Sequence, residues 1–379
     1  MPINFHRVPT ACFVLEEAKL RRNLETLRYV QEQSGAQIIL ALKGFAMFST
    51  FNLIRQYLPG TTASSLYEAR LGYEEFGNEV HAYAPAYFES EFDELMRYCN
   101  HITFNSPAQW ERFRQRVQQN DKKISCAIRI NPEYSEVETD LYNPCAIGTR
   151  LGVTADQIGD RLPEGIEGLH FHTLCESDSH ALERTLRVVE DRFGHLLPQA
   201  KWLNLGGGHL MTRAGYDLEH TIRLIKGLRE KYNLEITLEP GSAVAWETGY
   251  LTSTVEDIID SRGIRAVVLD VSVSAHMPDC VEMPYKPVVL GGRDAEPGEP
   301  AYRLGGLTCL AGDYVGDYAF ERSLEVGDRV VFNDMMHYTM VKTTFFNGVR
   351  HPSIGIWHED NTFELVREFG YEDYRNKLS

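Results

Sequence analysis

Short strand-like runs recur at regular intervals over the first part of the chain, and amphipathic stretches separate most of them. Eight such runs lie between residues 37 and 241: QIILALKG, TTASS, VHAYA, HITFN, ISCAIRIN, GLHFHTL, WLNLGGG and EITLEPG. The stretches between them, such as residues 181–197 and 218–232, place apolar side chains on one helical face. Eight strands alternating with helices are typical of a (β/α)8 barrel, which belongs to the α/β class.

The pattern changes after about residue 245. Runs such as YLTSTVEDIID, IRAVVLDVSV, KPVVLGG, AYRLGG, GDRVVFND and YTMVKTTFFNG alternate or run apolar between Gly, Pro and Asp residues. They lack long helical periodicity, so they predict a C-terminal all-β domain. Near the other end, residues 10–17 (TACFVLEE) predict one more strand, with the start of a helix behind it.

Charge and cysteine content exclude several classes of protein. The chain has 38 Lys and Arg against 54 Asp and Glu, a formal net charge of −16. This acidity argues against nucleic-acid binding and suits cationic small molecules. The seven cysteines form no CxxC pair, and neither a signal peptide nor a membrane-length apolar run occurs. We therefore expect a cytoplasmic protein that does not bind membranes.

Polar or glycine residues fall at the ends of several predicted strands. They include Lys43, Arg129, His172, residues 206–208 and Glu239. Active sites of (β/α)8 barrels lie at the carboxyl ends of the strands, so we expect these residues to converge. Lys43 is either a solvated strand-end lysine or, because its neighbours are largely apolar, a nucleophile of the Schiff-base type.

The other strand-end residues each leave two interpretations open. The glycines at 206–208 form either a flexible turn or a phosphate cradle, and no dinucleotide or P-loop pattern accompanies them. Glu239 either begins a turn or holds a cofactor's ring nitrogen protonated. His170 and His172 share one face of a strand but have no third ligand at useful spacing, so we expect no metal there.

Taken in order, the motifs ALKG, FHTLCE, NLGGG, LEPG, TCLAGD and HYT resemble those of the fold-type III pyridoxal-phosphate decarboxylases. Within that family, ALKGFA, LHFHTLCE, HMPD, EMPY and HYTMVK resemble the carboxynorspermidine and carboxyspermidine decarboxylases most. The resemblance implies an alanine-racemase-like TIM barrel over residues 23–245. The C-terminal all-β domain, residues 246–379, would also take in the N-terminal strand within residues 1–22.

The resemblance also implies a cofactor, pyridoxal 5'-phosphate, and roles for residues at matching positions. Lys43 would hold the cofactor covalently, His172 would stack on its ring, and Glu239 would pair with the ring nitrogen. Cys309 would return a proton to the substrate's Cα, and it would come from the partner subunit of a homodimer with shared active sites. The phosphate and the phenolic oxygen would contact four further residues: Gly207, Gly208, Tyr338 and Arg129.

Two departures from the wider family bear on the substrate. Ser242 stands where an Arg is usual, and Leu310 stands where diaminopimelate and ornithine decarboxylases carry an acid. We therefore expect a carboxylated polyamine as substrate, carboxynorspermidine or carboxyspermidine, which differ by one methylene. The candidate substrate-binding residues are Asp279, Glu282, Ser242, Glu176 and Asp313, and each carboxylate could equally be an ordinary surface group.

Three alternative functions follow from the same residues. A diaminopimelate, ornithine or arginine decarboxylase of this fold is the nearest. An amino-acid racemase would need a tyrosine opposite the lysine, where this chain has Cys309. A non-catalytic homologue would be expected to lose Lys43 or the glycines, and both are present.

Overall fold

The computed structural model describes residues 3–379, which fall into two compact units. One unit is residues 23–244, and the other joins residues 245–379 to the N-terminal segment that ends at residue 22. The first strand, β1 (Cys12–Glu16), leads into the helix α1 (Glu17–Ser34). This helix ends before Gly35, which adopts φ +72°, a left-handed conformation that glycine reaches without steric cost.

The unit of residues 23–244 is a parallel barrel. Residues 37–43 contain two short strands. The first pairs with the last strand of the barrel and the second with the next strand along the chain, which closes the sheet. The strands are β2 (Gln37–Ile38), β3 (Leu40–Ala41), β4 (Gly60–Ala63), β5 (Glu79–Tyr83), β6 (His101–Phe104), β7 (Ser125–Arg129), β8 (Gly168–His170), β9 (Trp202–Asn204) and β10 (Glu235–Leu238). All eight predicted runs are strands, so the barrel prediction is confirmed.

Helices connect most of the barrel strands and cover them with apolar side chains. On α7, for example, Leu182, Leu186 and Val189 are buried at helical spacing. The helices of this unit after α1 are α2 (Phe51–Ile54), α3 (Leu66–Leu71), α4 (Glu89–Tyr98), α5 (Pro107–Gln118), α6 (Ala155–Ile158), α7 (Ser179–Phe193), α8 (Leu218–Tyr232) and α9 (Ser242–Ala245). The last of them, α9, ends one residue beyond the boundary between the two units.

The other unit is built on a mixed sheet. Its strands after β1 are β11 (Gly249–Ser261), β12 (Ile264–Leu269), β13 (Gly292–Asp294), β14 (Tyr302–Gly305), β15 (Tyr314–Phe320), β16 (Arg329–Asn333), β17 (Ser353–Trp357) and β18 (Phe363–Arg367). The strand β1 lies between β11 and β17, antiparallel to the first and parallel to the second. The expectation that the β domain takes in the N-terminal strand is therefore confirmed.

Some details of this unit differ from the sequence-based expectation. It also contains the short helices α10 (Val273–His276), α11 (Pro278–Glu282) and α12 (Tyr371–Leu378). The apolar run YTMVKTTFFNG is not a strand, because Tyr338 has φ 49° and its carbonyl accepts the Lys342 N–H, which makes a turn. Within residues 3–379, no helix is both long and apolar enough to cross a bilayer.

Candidate active site

Lys43 lies in the turn that follows β3, and the backbone on both sides of this turn is tightly packed. A Cβ on Gly44 would come within 2.8 Å of the Gly241 Cα, and one on Gly241 within 3.0 Å of the Gly44 Cα. The two chain segments that follow β3 and β10 therefore touch through glycines. This contact fixes the backbone from which the Lys43 side chain projects.

The Lys43 amine lies at the carboxyl end of the barrel, beside His172. Its side chain keeps accessible surface. The surrounding protein nonetheless lowers the pKa of the amine, first by desolvation and then through the positive charge of Arg129, with Glu239 and Glu68 acting in the opposite direction. A lysine in this setting holds its proton less firmly than a surface lysine, which suits a nucleophilic amine.

His172 connects Lys43 to the glycine segment. Its Nε2 lies 3.3 Å from Lys43 Nζ, and its Nδ1 accepts the Gly207 N–H at 2.6 Å. Burial, followed by the charges of Lys43 and Arg129, holds the pKa of His172 well below its usual value, so the ring is neutral. With Nδ1 accepting a hydrogen bond, the single ring proton belongs on Nε2, facing the lysine.

Glu239 is buried after β10 with defined partners. Asn204 Nδ2 donates to Glu239 Oε1 at 2.7 Å, and His170 Nε2 lies 3.6 Å from Glu239 Oε2. Burial alone would raise the pKa of this carboxyl, but hydrogen bonding and charge from His170, with His81 and Asn204 adding to them, bring it down to about 2. Glu239 is therefore an anion, and Oε2 has room for another donor.

Residues 206–208 follow β9 in a conformation that only glycine fits. Gly206 and Gly208 have φ +68° and +88°, and a Cβ on Gly208 would lie 2.1 Å from the Leu174 carbonyl oxygen. Gly207 has an ordinary φ, but its Cβ would lie 2.5 Å from the Glu239 carbonyl oxygen. Backbone therefore packs against backbone here, which brings N–H groups to the mouth of the barrel.

Arg129, at the end of β7, is buried in the same unit. Its Nη2 donates to the His172 carbonyl at 3.0 Å, and its guanidinium lies 4.6 Å from the centre of the Tyr83 ring. The Tyr83 hydroxyl in turn donates to Asn105 Oδ1 at 2.7 Å. These contacts fix the guanidinium without neutralising it, since Arg129 forms no ion pair with any residue from 3 to 379.

The two remaining candidates in this unit are Glu176 and Ser242. Glu176 is exposed, with a left-handed φ of 46°, and its carbonyl accepts Arg213 Nη1 at 3.2 Å. Ser242 is the first residue of α9 and is partly buried. The barrel unit thus brings Lys43, His172 and residues 206–207 into direct contact and holds Glu239 beside Gly207.

Cys309 and Asp313 belong to the loop between β14 and β15. Cys309 is exposed, and its N–H donates to Asn347 Oδ1 at 2.7 Å. Asp313 is only 5% exposed and accepts four hydrogen bonds, from Ser272 Oγ, the Ser274 N–H, the Thr308 N–H and Thr308 Oγ1. Because both its oxygens are already engaged, Asp313 supports the Cys309 loop and has no free oxygen for a substrate.

The other two candidate tail carboxylates share one lysine. Lys342 Nζ lies 2.5 Å from Asp279 Oδ1 and 2.6 Å from Glu282 Oε2. The same amine lies 5.7 Å from the centre of the Tyr338 ring. Asp279 and Glu282 therefore do converge on one cation, although that cation belongs to the protein.

Sequence reasoning missed several of these residues. Asn204 and His170 hold Glu239, Lys342 pairs with the acidic candidates, and Glu68 accepts the Ser64 N–H at 2.6 Å and acts on the charge of Lys43. Asn204 and His170 precede predicted site residues by two positions, which places them on the same strand face. That alternation was the available signal for these two, whereas nothing local marked Lys342.

Comparisons with known proteins show the family to which the chain belongs. The family model described as pyridoxal-dependent decarboxylase, C-terminal sheet domain, matches residues 29–336. The carboxyaminopropylagmatine decarboxylase of Synechocystis sp. is 54% identical over 98% of this chain and 96% of its own length. The carboxynorspermidine/carboxyspermidine decarboxylase of Campylobacter jejuni is 44% identical over 98% of each chain.

Solved structures give the same relationship. The Campylobacter jejuni carboxynorspermidine decarboxylase, crystallised with norspermidine, superimposes with a TM-score of 0.91 at 42% identity, covering 98% of this chain and 100% of that one. The Helicobacter pylori diaminopimelate decarboxylase, with L-lysine, shares the fold alone, with a TM-score of 0.81 at 16% identity and coverage of 99% and 98%. The chain belongs to the pyridoxal-dependent decarboxylases, and it is an enzyme of that family.

Proposed function

We propose that this enzyme decarboxylates a carboxylated polyamine, carboxynorspermidine or carboxyspermidine, with pyridoxal 5'-phosphate as cofactor. The observation that carries the proposal is the contact of Lys43 with His172, and of His172 with Gly207, at the carboxyl end of the barrel. The identity of 44% to a carboxynorspermidine/carboxyspermidine decarboxylase over 98% of the chain supports the substrate class.

The residues of the barrel fit a pyridoxal group by their chemistry. An amine of lowered pKa, Lys43, would carry it, and the carboxylate of Glu239 would receive a ring N–H at Oε2. Gly207 and Gly208 would line the phosphate, because a Cβ at either position would collide with neighbouring backbone. The Gly208 N–H would bind it, since the Gly207 N–H is already donated to His172 Nδ1. Arg129 and His172 would contact the ring system.

When bound, pyridoxal phosphate supplies an electron-accepting ring that takes up the electron pair of the Cα–carboxylate bond as CO2 leaves. The protein does the rest. Lys43, whose amine pKa is lowered by burial, would hold the group and give up its place to the substrate's α-amine. Glu239 keeps its negative charge and so holds the proton of the ring nitrogen. Cys309 donates the proton that replaces the lost carboxylate at Cα.

Cys309 would serve the active site of a partner subunit in a homodimer. Its exposure and its anchoring by Asn347 support this proposal, because an exposed thiol on a fixed loop can reach a second chain. Tyr338 would contribute to phosphate binding, as the family resemblance implies. We also propose a cytoplasmic location, which the seven free cysteines support.

The distal ammonium groups of the substrate would bind at Asp279 and Glu282, with Glu176 and Ser242 as further candidates. The observed pairing of both carboxylates with Lys342 supports this proposal, because it demonstrates a geometry that accommodates an ammonium group. A substrate amine would then compete with Lys342 for these two acids. Remote binding of this kind serves to orient the reacting end.

A second substrate is favoured by one specific observation. The relative of 54% identity is named carboxyaminopropylagmatine decarboxylase, a higher identity than the 44% to the carboxynorspermidine/carboxyspermidine enzyme. An agmatine derivative ends in a planar guanidinium, which prefers a carboxylate that can accept two parallel hydrogen bonds. Carboxyaminopropylagmatine is therefore the second candidate substrate.

Measurement of CO2 release tests both candidates. The panel should include carboxynorspermidine, carboxyspermidine, carboxyaminopropylagmatine, diaminopimelate, ornithine and arginine. We expect a carboxylated polyamine or its guanidinium analogue to give the highest kcat/KM. Turnover of diaminopimelate at an equal or higher kcat/KM would contradict the proposal, and a clear preference for the agmatine derivative would select the second candidate.

A further inference from the structure

A cluster of two histidines and one glutamate lies at the opposite end of the barrel from Lys43. His81 and His101 occupy paired positions of the parallel strands β5 and β6, and Glu79 precedes His81 by two residues. Strand periodicity therefore puts all three side chains on the face of Tyr83, whose ring packs 5.3 Å from His170 inside the barrel. The cluster points into the barrel at the amino-terminal ends of the strands.

The polar atoms of this cluster are close together and lack partners. One ligand atom from each residue lies within 4.8 Å of the others, and His81 Nε2 is 3.5 Å from Glu79 Oε2. His81 is only 4% exposed. Apart from this contact between His81 and Glu79, the atoms Glu79 Oε2, His81 Nε2 and His101 Nδ1 are buried without a hydrogen-bond partner within residues 3–379. Three unsatisfied buried polar atoms in one place are costly unless something binds them.

We propose that Glu79, His81 and His101 form a binding site for a divalent transition-metal ion of the Zn²⁺ class. Two imidazoles and one carboxylate are a known ligand set for zinc, with a fourth position left for water. The three ligand atoms lie no more than 4.8 Å apart, so an ion placed midway between them would be within about 2.8 Å of each atom. Zinc binds His and carboxylate at about 2.0–2.2 Å, so each ligand atom has to approach the ion by less than about 1 Å.

Several carboxylates act on the two imidazoles of the cluster. Glu79 and Glu167 act on His101, and Glu239 interacts with His81, whereas the cation of Lys122 opposes them at His101. A cation at the cluster is thus opposed by few positive charges. The His81 and His101 rings stack 4.0 Å apart at 27°, so metal binding requires a rotation of one ring.

A second His and Glu cluster provides a matched control. His180, Glu183 and His220 also bring ligand atoms within 4.8 Å, on the exposed surface of α7 and α8. Two of its groups have other partners, however: Arg187 binds Glu183 Oε1 at 2.5 Å, and His220 Nδ1 lies 3.0 Å from Ser179 Oγ. Competition for these atoms weakens metal binding there, so we place the site in the barrel.

Equilibrium dialysis of the untagged holoenzyme against Zn²⁺, followed by metal analysis, tests the proposal. We expect about one ion per chain. Loss of an outer-shell partner alone costs about 10- to 100-fold in affinity, so Glu79→Gln should weaken binding at least that much. Glu183→Gln should leave it unchanged. Absence of bound zinc in the wild type, retention in Glu79→Gln, or loss in Glu183→Gln would each overturn the proposal.

Cobalt binding can be measured on the wild-type protein, so this test of the metal site does not depend on whether a variant folds. Co²⁺ bound to nitrogen and oxygen shows visible d–d bands, whereas thiolate ligation adds intense charge-transfer absorption at shorter wavelength. We expect only d–d bands, because the exposed thiols of Cys175 and Cys309 lie outside the cluster. Thiolate absorption would assign the metal to a cysteine and reject the barrel site.

Discussion

The Lys43 amine lies 3.3 Å from Nε2 of His172, whose other ring nitrogen accepts the N–H of Gly207. These three residues follow three different barrel strands, separated by up to 164 residues along the chain (207 − 43). A single imidazole therefore connects the nucleophilic amine to the backbone of the glycine segment. Rotation or loss of this ring disturbs both ends of the connection at once.

Lys43→Ala removes the amine proposed to carry the cofactor. We expect loss of the visible absorbance of the holoenzyme and a fall in kcat by roughly three orders of magnitude or more, as for other nucleophile deletions. Absorbance spectroscopy and CO2 release check both. The control is Lys123→Ala, whose side chain is 84% exposed. A Lys43→Ala enzyme with an intact visible band would exclude this lysine as the anchor.

Gly207→Ala introduces a Cβ 2.5 Å from the Glu239 carbonyl oxygen. We expect a loss of about 1–3 kcal/mol in the free energy of unfolding, since backbone cannot easily move aside, together with weaker cofactor binding. Gly227→Ala is the matched control, because a Cβ on Gly227 in α8 meets nothing within 4 Å. Urea unfolding and cofactor titration compare the two variants. Equal behaviour of both would show that the glycine segment is not a tight cradle.

Glu239 should contribute a pH-dependent part of the stability. Its pKa falls from the ordinary value of 4.5 to about 2 in the folded chain, despite burial, because of His170, His81 and Asn204. A depressed carboxyl pKa stabilises the fold above the unfolded value, and this contribution disappears as the pH falls from about 4.5 towards 2. Urea unfolding at a series of pH values should show this loss in the wild type and not in Glu239→Gln. If the free energy of unfolding depended on pH in the same way in both proteins, Glu239 would not be the source of this loss.

Lys342→Met removes the cation that occupies Asp279 and Glu282. If these acids bind the substrate tail, a cationic substrate then meets no internal competitor. Partly exposed ion pairs are worth about 1 kcal/mol, so KM should fall by roughly fivefold with little change in kcat. Lys342→Arg, which keeps the charge, is the control. An unchanged or higher KM in steady-state kinetics would argue that the tail binds elsewhere.

Cys309→Ala and Lys43→Ala test the shared site together. In a randomly mixed dimer population, half the dimers carry one chain of each kind, and one of their two sites has both residues intact. We therefore expect about a quarter of wild-type activity after the two inactive variants are unfolded and refolded together. Activity that stays at the level of the separate variants would mean that each subunit uses its own Cys309.

The sequence by itself determined the elements that depend on local periodicity. The eight runs became barrel strands, and α8 covers Leu218–Tyr232, as its apolar spacing predicts, with Asn233 in a left-handed conformation behind it. Lys43 was placed at a strand end by the same reasoning. Periodicity was less informative near Tyr338, where a left-handed residue turns an apolar run away from the strand conformation.

Only the tertiary structure decided which side chains are partners. Asp313 is saturated by three residues of its own unit, Lys342 reaches Asp279 and Glu282, and strand register brings His81 against His101. The physical reason is that periodicity states which face a side chain occupies, whereas pairing depends on which strand or loop lies opposite. A carboxylate's availability for substrate, or for metal, follows from that second property.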